Sequence, residues 1–261
     1  MLKKLQKESK NVLDFMNSNG LIANPDKTGL LIFRPGSQPK GKISLKVGDV
    51  MVEESEEEKL LGLIIDNKLK WNSHINEIRN KLNHRLALLR RLKQWLPRDC
   101  LTHVAQGLVL SKIRYGLPVF GQPRLQESDP LSGHCKCLQI TINNVMRTLT
   151  NNKLSDKVPV RELHASTGLP SLNQMVVQAV LMETWKILNG QSGVSDTIFQ
   201  KVNGVTRAAS VGELKLPKKS NGTGFAYNGA RTWNQTPIEI RLAKNLNSAK
   251  TKIKSFSKLY Q

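Results

Sequence analysis

The sequence is short of aromatic residues, acids, cysteines and long apolar runs. Aromatic residues make up 5% of the 261 residues, and 20 acids stand against 40 lysines and arginines. Three cysteines, Cys100, Cys135 and Cys137, are an odd number without a disulfide pattern. Neither a run of roughly 20 apolar residues for a membrane span nor a secretory signal is found. We therefore expect a protein of the nucleus or cytoplasm that is neither secreted nor inserted in a membrane.

Positive charge is the strongest compositional signal. The formal net charge is +20, and such an excess points to polyanionic partners rather than to a particular fold. We expect nucleic acid to be the partner. Two alternatives are lysines that only solvate the surface and binding to an anionic membrane surface. The apolar share of 39% lies well above the disordered range and predicts a packed fold with a modest core.

The first 66 residues combine one amphipathic helical pattern with short segments typical of strands. Residues 53–58, EESEEE, are expected to form a solvated acidic loop. The remaining predictions for this part are a helix over 3–19, a strand over 29–33, a hairpin over 43–52 that turns at Gly48 and Asp49, and a single buried strand in KLLGLIID, residues 59–66.

The remainder of the chain has the pattern of helices. Asn72 or Ser73 can cap a helix whose apolar stripe recurs at spacings of three and four. The stripe consists of Ile75, Ile78, Leu82, Leu86, Leu89 and Leu92. Further helices are predicted over 97–121, over 136–150, on both sides of a break at 168–170, and in a basic segment over 242–260. The fold class is therefore α+β: a small β-containing part followed by a mostly α-helical remainder.

The residues alone do not form a complete active site. The aspartates are scattered, whereas acid–base catalysis and two-metal chemistry require carboxylates placed around one bond. Asp66, at a predicted strand end, is expected to be a turn former. His134, Cys135 and Cys137 form HCKC, with one residue between the cysteines where zinc sites favour two to four. We predict no catalytic residue, no metal, no cofactor and no small-molecule substrate for this chain alone.

Binding of nucleic acid fits the basic helices better. The helix after Ser73 carries one acid, Glu77, and many basic residues, although they form no single basic face. They are either the solvated ends of a core helix or long side chains whose heads reach phosphates. The basic residues selected as binding candidates on this helix and the next are Arg79, Lys81, Arg85, Arg90, Arg91, Lys112 and Arg114.

Five strings, in order along the chain, together resemble the C-terminal half of the reverse transcriptase of LINE-type (non-LTR) retrotransposons, in particular jockey-like elements. Each string is a weak signal alone, but together they span essentially the whole chain. They are GLIANPDKTGLLIF (20–33), KLLGLIID (59–66), LKWNSHINEIRNKLNHRLALLRRL (69–92), LVLSKIRYGLPVFG (108–121) and GARTWNQTPIEIR (229–241).

The resemblance implies an RNA-directed DNA polymerase whose parts follow one another along this chain. Residues 1–66 would be the end of the palm with the primer grip, 67–124 the thumb and 125–261 a helical C-terminal segment. Leu61 and Gly62 match the grip, and a glycine there lets a backbone approach the primer closely. Lys27, next to Asn24 in the palm string, would lie near the incoming nucleotide, unless it is an ordinary turn lysine.

The resemblance also defines what is missing. The family's F-x-D-D signature is absent from the sequence, and the two-metal reaction requires its carboxylates. The chain alone is therefore expected to be inactive, with magnesium acting only in an intact polymerase that includes the N-terminal palm and fingers. Its expected partners are those missing domains, an RNA template and a DNA primer. Two alternatives are a non-enzymatic basic nucleic-acid-binding module and a helical protein-interaction scaffold.

Three further residues of the matched strings are compared with the family pattern. Trp71 and His74 match the start of the thumb, where Trp71 could pack in the core or offer a face for base stacking. In the C-terminal string, Thr236 stands where the family usually has a packing leucine.

Overall fold

The computed structural model describes residues 2–24, 27–34, 43–129, 133–202, 212–217 and 224–260. The chain forms two compact units, Met1–Glu77 and Ile78–Gln261. The fold class is α+β, as predicted: small sheets near the N-terminus precede a mostly helical part. The palm, thumb and C-terminal boundaries at 66 and 124 stay predictions.

The N-terminal unit contains α1 (Leu2–Ser18), which packs on a small sheet. Its strands are β1 (Leu30–Leu31), β2 (Ser44–Val47) and β3 (Val50–Ser55), in the order β1-β3-β2. The strand β3 runs parallel to β1 and antiparallel to β2. Gly48 and Asp49 make the two-residue hairpin turn, with Gly48 at φ +62°, which confirms the predicted hairpin. Leu30, Leu45 and Val52 form the small core under this sheet.

The predictions for residues 53–66 are wrong in two respects. The acidic segment is not a loop, because all of its residues except Glu56, a bend, lie in β3 or in β4 (Glu57–Leu60). KLLGLIID is not one buried strand, because it folds back at Leu61 and Gly62 and pairs β4 with β5 (Leu63–Asp66). Both turn residues have positive φ, 48° and 85°, the conformation of tight hairpin turns. A glycine inside an apolar run thus marks a turn here.

The helix α2 (Asn72–Leu92) carries the predicted stripe, with Ile75, Ile78, Leu82, Leu86 and Leu89 buried. Neither Asn72 nor Ser73 is its N-cap, because both lie within the helix; the Ser73 hydroxyl donates to the Glu57 carboxylate instead. The prediction of a single helix over 97–121 is also wrong. This segment consists of α3 (Arg98–Ala105), a π-helical segment (Gln106–Leu110), α4 (Ser111–Arg114) and α5 (Leu117–Phe120). Gly116, at φ +69°, makes the break before α5.

Three longer helices follow, separated as the sequence predicts. They are α6 (Gly133–Thr150), α7 (Val160–Thr167) and α8 (Leu172–Leu188). Gly168 ends α7 in the left-handed conformation, and a capping box starts α8. In that box Ser171 Oγ accepts from the Gln174 N–H, and Gln174 Oε1 accepts from the Ser171 N–H. The chain continues with α9 (Phe225–Asn234), α10 (Ile238–Arg241) and α11 (Leu246–Ser257).

The helix α8 is the centre of the C-terminal unit. It is apolar on most of its faces, the composition of a helix surrounded by other elements, and α9 and α11 pack against it. Its Val177, Leu181 and Trp185 are buried in one cluster with Trp233 and Ile253. Within the described ranges, no helix combines the length and the apolar composition that a membrane crossing requires.

Candidate nucleic-acid interface

The tip of the β4–β5 hairpin carries Leu61 and Gly62, the two residues for which the sequence resemblance predicts a primer grip. Leu60 pairs with Leu63 across the turn, and the Leu61 side chain is 81% exposed. Gly62 has no Cβ, so its backbone can be approached closely from outside. The tip therefore exposes both a leucine side chain and a glycine backbone.

Asp66 organises the connection from this hairpin to α2. Its carboxylate accepts backbone N–H bonds from Lys68 and Lys70, both at 3.0 Å, and from Trp71 at 2.6 Å. Partial burial acts to raise the pKa of the Asp66 carboxyl, but the bonds from Lys70, Trp71 and Lys68 outweigh it and hold the pKa below its ordinary value. Leu69 and Trp71 have positive φ, 52° and 64°, so Asp66 stabilises a strained turn. Asp66 is thus the turn former expected from the sequence.

Side-chain contacts brace the hairpin against the first turns of α2. Lys59 Nζ lies 3.2 Å from Glu77 Oε1, and Ser73 bonds Glu57. The Ile64 N–H donates to Nδ1 of the buried His74 at 3.4 Å. The Trp71 ring meets that imidazole edge to face, 6.2 Å between centroids. Trp71 is therefore a half-buried packing residue, and the W-x-x-H-I string has a structural explanation.

Lys27 lies on the surface of the N-terminal unit. Its backbone N–H donates to the Asn24 carbonyl at 3.2 Å, and Thr28 Oγ1 donates to the same oxygen at 3.0 Å. This is the local bonding of a turn, with the lysine head exposed. Pro25 and Asp26 lie outside the described residues. A role for Lys27 beside an incoming nucleotide stays a prediction.

The basic residues of α2 fall into two groups. Arg79 and Arg90 are exposed on the same side of the helix, about three turns or roughly 16 Å apart along its axis. Lys81 and Arg91 are exposed on other sides of the helix. Arg85 is half-buried and donates to the Leu108 carbonyl in the π-helical segment, so its guanidinium already has a structural partner.

The predicted extension onto the next helix is also exposed. Lys112 and Arg114 lie on α4, and Tyr115 follows it with about half of its surface accessible. Desolvation lowers the pKa of the Arg114 guanidinium, but an arginine remains a cation at neutral pH. Arg79, Arg90, Arg91, Lys112 and Arg114 form no ion pair with any residue that the structure describes.

The string GARTWNQTPIEIR has a structural role that sequence reasoning missed. A Cβ on Gly229 would lie 2.8 Å from Thr184 Oγ1 and from Phe199 Cζ, so only glycine allows α9 to pack this closely. Trp233 is buried and its Nε1 donates to the Gly212 carbonyl at 3.0 Å. The Asn234 amide bonds both the N–H and the C=O of Leu214, at 2.9 and 2.8 Å.

Thr236 fits its buried position because its hydroxyl is satisfied. The Oγ1 donates to the Trp233 carbonyl at 2.7 Å. Arg241 then ties the segment together, donating to the Asn234 carbonyl at 2.7 Å and to the Thr236 carbonyl at 3.0 Å. The closely packed glycine, the tryptophan and the arginine make this string a packing motif.

Metal ligation finds no support in the described part of the chain. No group of three or more histidines, cysteines or acids is placed there to hold an ion. The side chains of His134 and Cys135, in the HCKC string, lie outside the described residues. Cys100 is a free, exposed cysteine, and His103 Nδ1 lies 2.9 Å from the Asp99 carbonyl.

Comparisons with known proteins leave the resemblance resting on the sequence strings alone. No family model, no curated protein and no solved structure matches the chain.

Proposed function

We propose that the chain is the end of the palm, the thumb and the C-terminal segment of a LINE-type reverse transcriptase, and that it grips a primer–template duplex. One observation carries the proposal. The exposed tip at Leu61 and Gly62 is joined, through the turn ordered by Asp66, to a helix with exposed arginines. An accessible backbone turn and exposed basic side chains each suit a nucleic-acid strand, because phosphate contacts position it.

No catalytic residue is proposed for the chain, because F-x-D-D is absent from its sequence. The carboxylates that hold magnesium would come from the N-terminal palm and fingers, which we propose as its protein partners. The substrates of the complete polymerase would be an RNA template and a DNA primer. We propose the nucleus or cytoplasm as its location, where such nucleic acids are found.

The test measures binding of the purified chain to an RNA–DNA duplex over a range of salt concentrations. Affinity should fall linearly on a log–log plot, with a slope of about −0.9 for each phosphate neutralised. Reversing Arg90→Glu and Arg91→Glu should weaken binding roughly tenfold and make the slope shallower, since the variant neutralises fewer phosphates. Both side chains are exposed, but they lie in the last turn of α2, where acids oppose the helix dipole. The melting temperature should therefore fall slightly while the fold is kept.

A matched control reverses two exposed lysines of α1, Lys3→Glu and Lys4→Glu. It changes the net charge equally but leaves α2 intact. Equal reductions in affinity in both variants would mean that binding follows net charge rather than a site on α2. An affinity independent of salt would overturn the duplex grip. Extension of the primer by the chain with nucleotides and magnesium would overturn the proposed inactivity.

A further inference from the structure

A cavity of about 230 Å³ opens on the C-terminal unit where α4, α8 and α11 meet. Its floor is mostly apolar. Met175 and Ile253 are buried there, while Met182 and Ala179 are half-buried at its walls. A cavity of this size and lining suits a flat, apolar ring. We call it the α8 groove.

Three cations surround the α8 groove: Arg114 from α4, and Lys250 and Lys254 from α11. The two lysines are one helical turn apart, so they lie on the same face. All three side chains are exposed, and none pairs with an acid in the described ranges. No acid among the described residues lines the groove. The groove therefore combines an apolar floor with an uncompensated positive rim.

An apolar floor with a positive rim is complementary to a ligand that carries a ring between negative charges. A nucleotide within a strand has this form, with a base flanked by phosphates. Methionine sulfur makes favourable contacts with aromatic rings, and Met182, half-buried at the wall of the groove, supplies it here. Bases within a duplex are stacked and paired, so only an unpaired strand can place a base in the cavity. Binding sites for single strands combine stacking surfaces with positive grooves in this way.

We propose that the α8 groove binds single-stranded nucleic acid, with one unstacked base in the cavity and the neighbouring phosphates on Arg114, Lys250 and Lys254. The proposal rests on the proposed function only in requiring that the chain binds nucleic acid. It adds a site for an unpaired strand, whereas the proposed grip on α2 binds a duplex. Of the binding residues predicted from the sequence, Arg114 alone lines this groove.

The first measurement compares two probes on the full chain: a short single-stranded oligodeoxynucleotide, and the same strand with an abasic analogue at every position. Both carry the same phosphates, so the difference reports the base. The intact strand should bind about fivefold tighter or more, the lower end of the effect of one base contact. Equal affinities would overturn the proposal, and this measurement needs no variant.

Two variants then locate the effect. Ala179→Phe fills the cavity without changing charge, and it should remove the preference for the intact strand while leaving the abasic strand unaffected. The pair Lys250→Ala and Lys254→Ala should make the salt slope shallower by about 0.7 for each phosphate that the variant no longer neutralises. The matched pair Lys244→Ala and Lys258→Ala, exposed lysines outside the groove, should leave the slope unchanged.

The outcomes separate the two proposals. If the chain binds no nucleic acid at all, the duplex grip and the α8 groove fail together. If duplex binding keeps its salt dependence while Ala179→Phe leaves strand binding unchanged, only the α8 groove fails. If the groove variants change binding to phosphatidylserine vesicles and not to the strand, the occupant is an anionic lipid and the proposal is overturned.

Discussion

At the scale of single residues, packing explains the residue types found in the string GARTWNQTPIEIR, residues 229–241. Gly229, Asn234 and Arg241 each make an interaction that few other residue types can make: a close helix approach, a two-sided bond to a backbone, and a link between two carbonyls. Thr236 is buried with its hydroxyl bonded, which avoids the cost of an unsatisfied polar group. The string therefore carries information about the fold rather than about a binding site.

Gly229 is a residue at which one added methyl group should be costly. We expect Gly229→Ala to lower the free energy of unfolding by about 1–3 kcal/mol through overpacking, because its Cβ would meet Phe199 and Thr184. This loss exceeds the gain of about 1 kcal/mol that alanine gives a helix over glycine. Urea unfolding measures it. Gly107→Ala is the control, since no atom lies within 4 Å of its Cβ position, and an equal loss there would contradict the packing argument.

At the scale of elements, hydrogen bonds and an ion pair connect the β4–β5 hairpin to the turn at Asp66 and to the start of α2. The hairpin is short and exposed, and its position depends on bonds at its base rather than on a core. These are the contacts of Asp66, His74 and the pair Lys59–Glu77. If the tip grips a primer, the bonds at its base set where the tip lies.

We expect Asp66→Ala to destabilise the N-terminal unit at neutral pH by about 1–3 kcal/mol, since it removes charge-assisted bonds to backbone N–H groups. The pKa of Asp66 is lowered on folding, so its stabilisation is present above the ordinary aspartate pKa and is lost as the pH falls through the lower folded value. Stability measured by urea unfolding should therefore differ between wild type and variant at pH 7 and converge in acid.

The control for this change is Asp14→Ala, an exposed aspartate of α1 whose carboxylate makes no bond to a described residue. It should leave stability within about 0.5 kcal/mol of wild type, as surface substitutions do. A variant at Asp66 that kept its full deficit in acid would show that the carboxylate charge is not the cause.

At the scale of the whole molecule, the two units differ in how much apolar surface they bury. The sheet of the N-terminal unit covers a cluster of three buried side chains, Leu30, Leu45 and Val52. In the C-terminal unit, α8 is surrounded by a much larger cluster that includes Trp185 and Trp233. Since stability follows buried apolar area, the helical unit should be the more stable.

Hydrogen exchange tests this difference directly. Peptides from α8, Leu172–Leu188, should exchange most slowly, and peptides from the β2–β3 hairpin should exchange faster, because low-stability regions open without global unfolding. The full chain is labelled and then digested, so mass spectrometry of the peptides resolves both segments in one experiment and the helical unit serves as the internal reference. Equal protection in the two segments would mean that they unfold as one cooperative body.

The sequence by itself determined the α+β class, the helix α2 with its stripe, the hairpin turn at Gly48 and the break at Gly168. These depend on local periodicity and on glycine conformation, which neighbouring residues specify. The strongly basic character is likewise a property of composition alone.

Only the tertiary structure decided what depends on distant partners. The turn at Leu61 and Gly62 forms because β4 and β5 pair, whereas the sequence shows one apolar run. Nothing in the sequence distinguishes Arg85 from the other arginines of the helix. Only the fold brings it to the carbonyl of Leu108, which accepts its hydrogen bond. The α8 groove requires three helices at once. Pairing, burial and charge proximity depend on segments that are remote in sequence, and local patterns do not specify which of those segments meet.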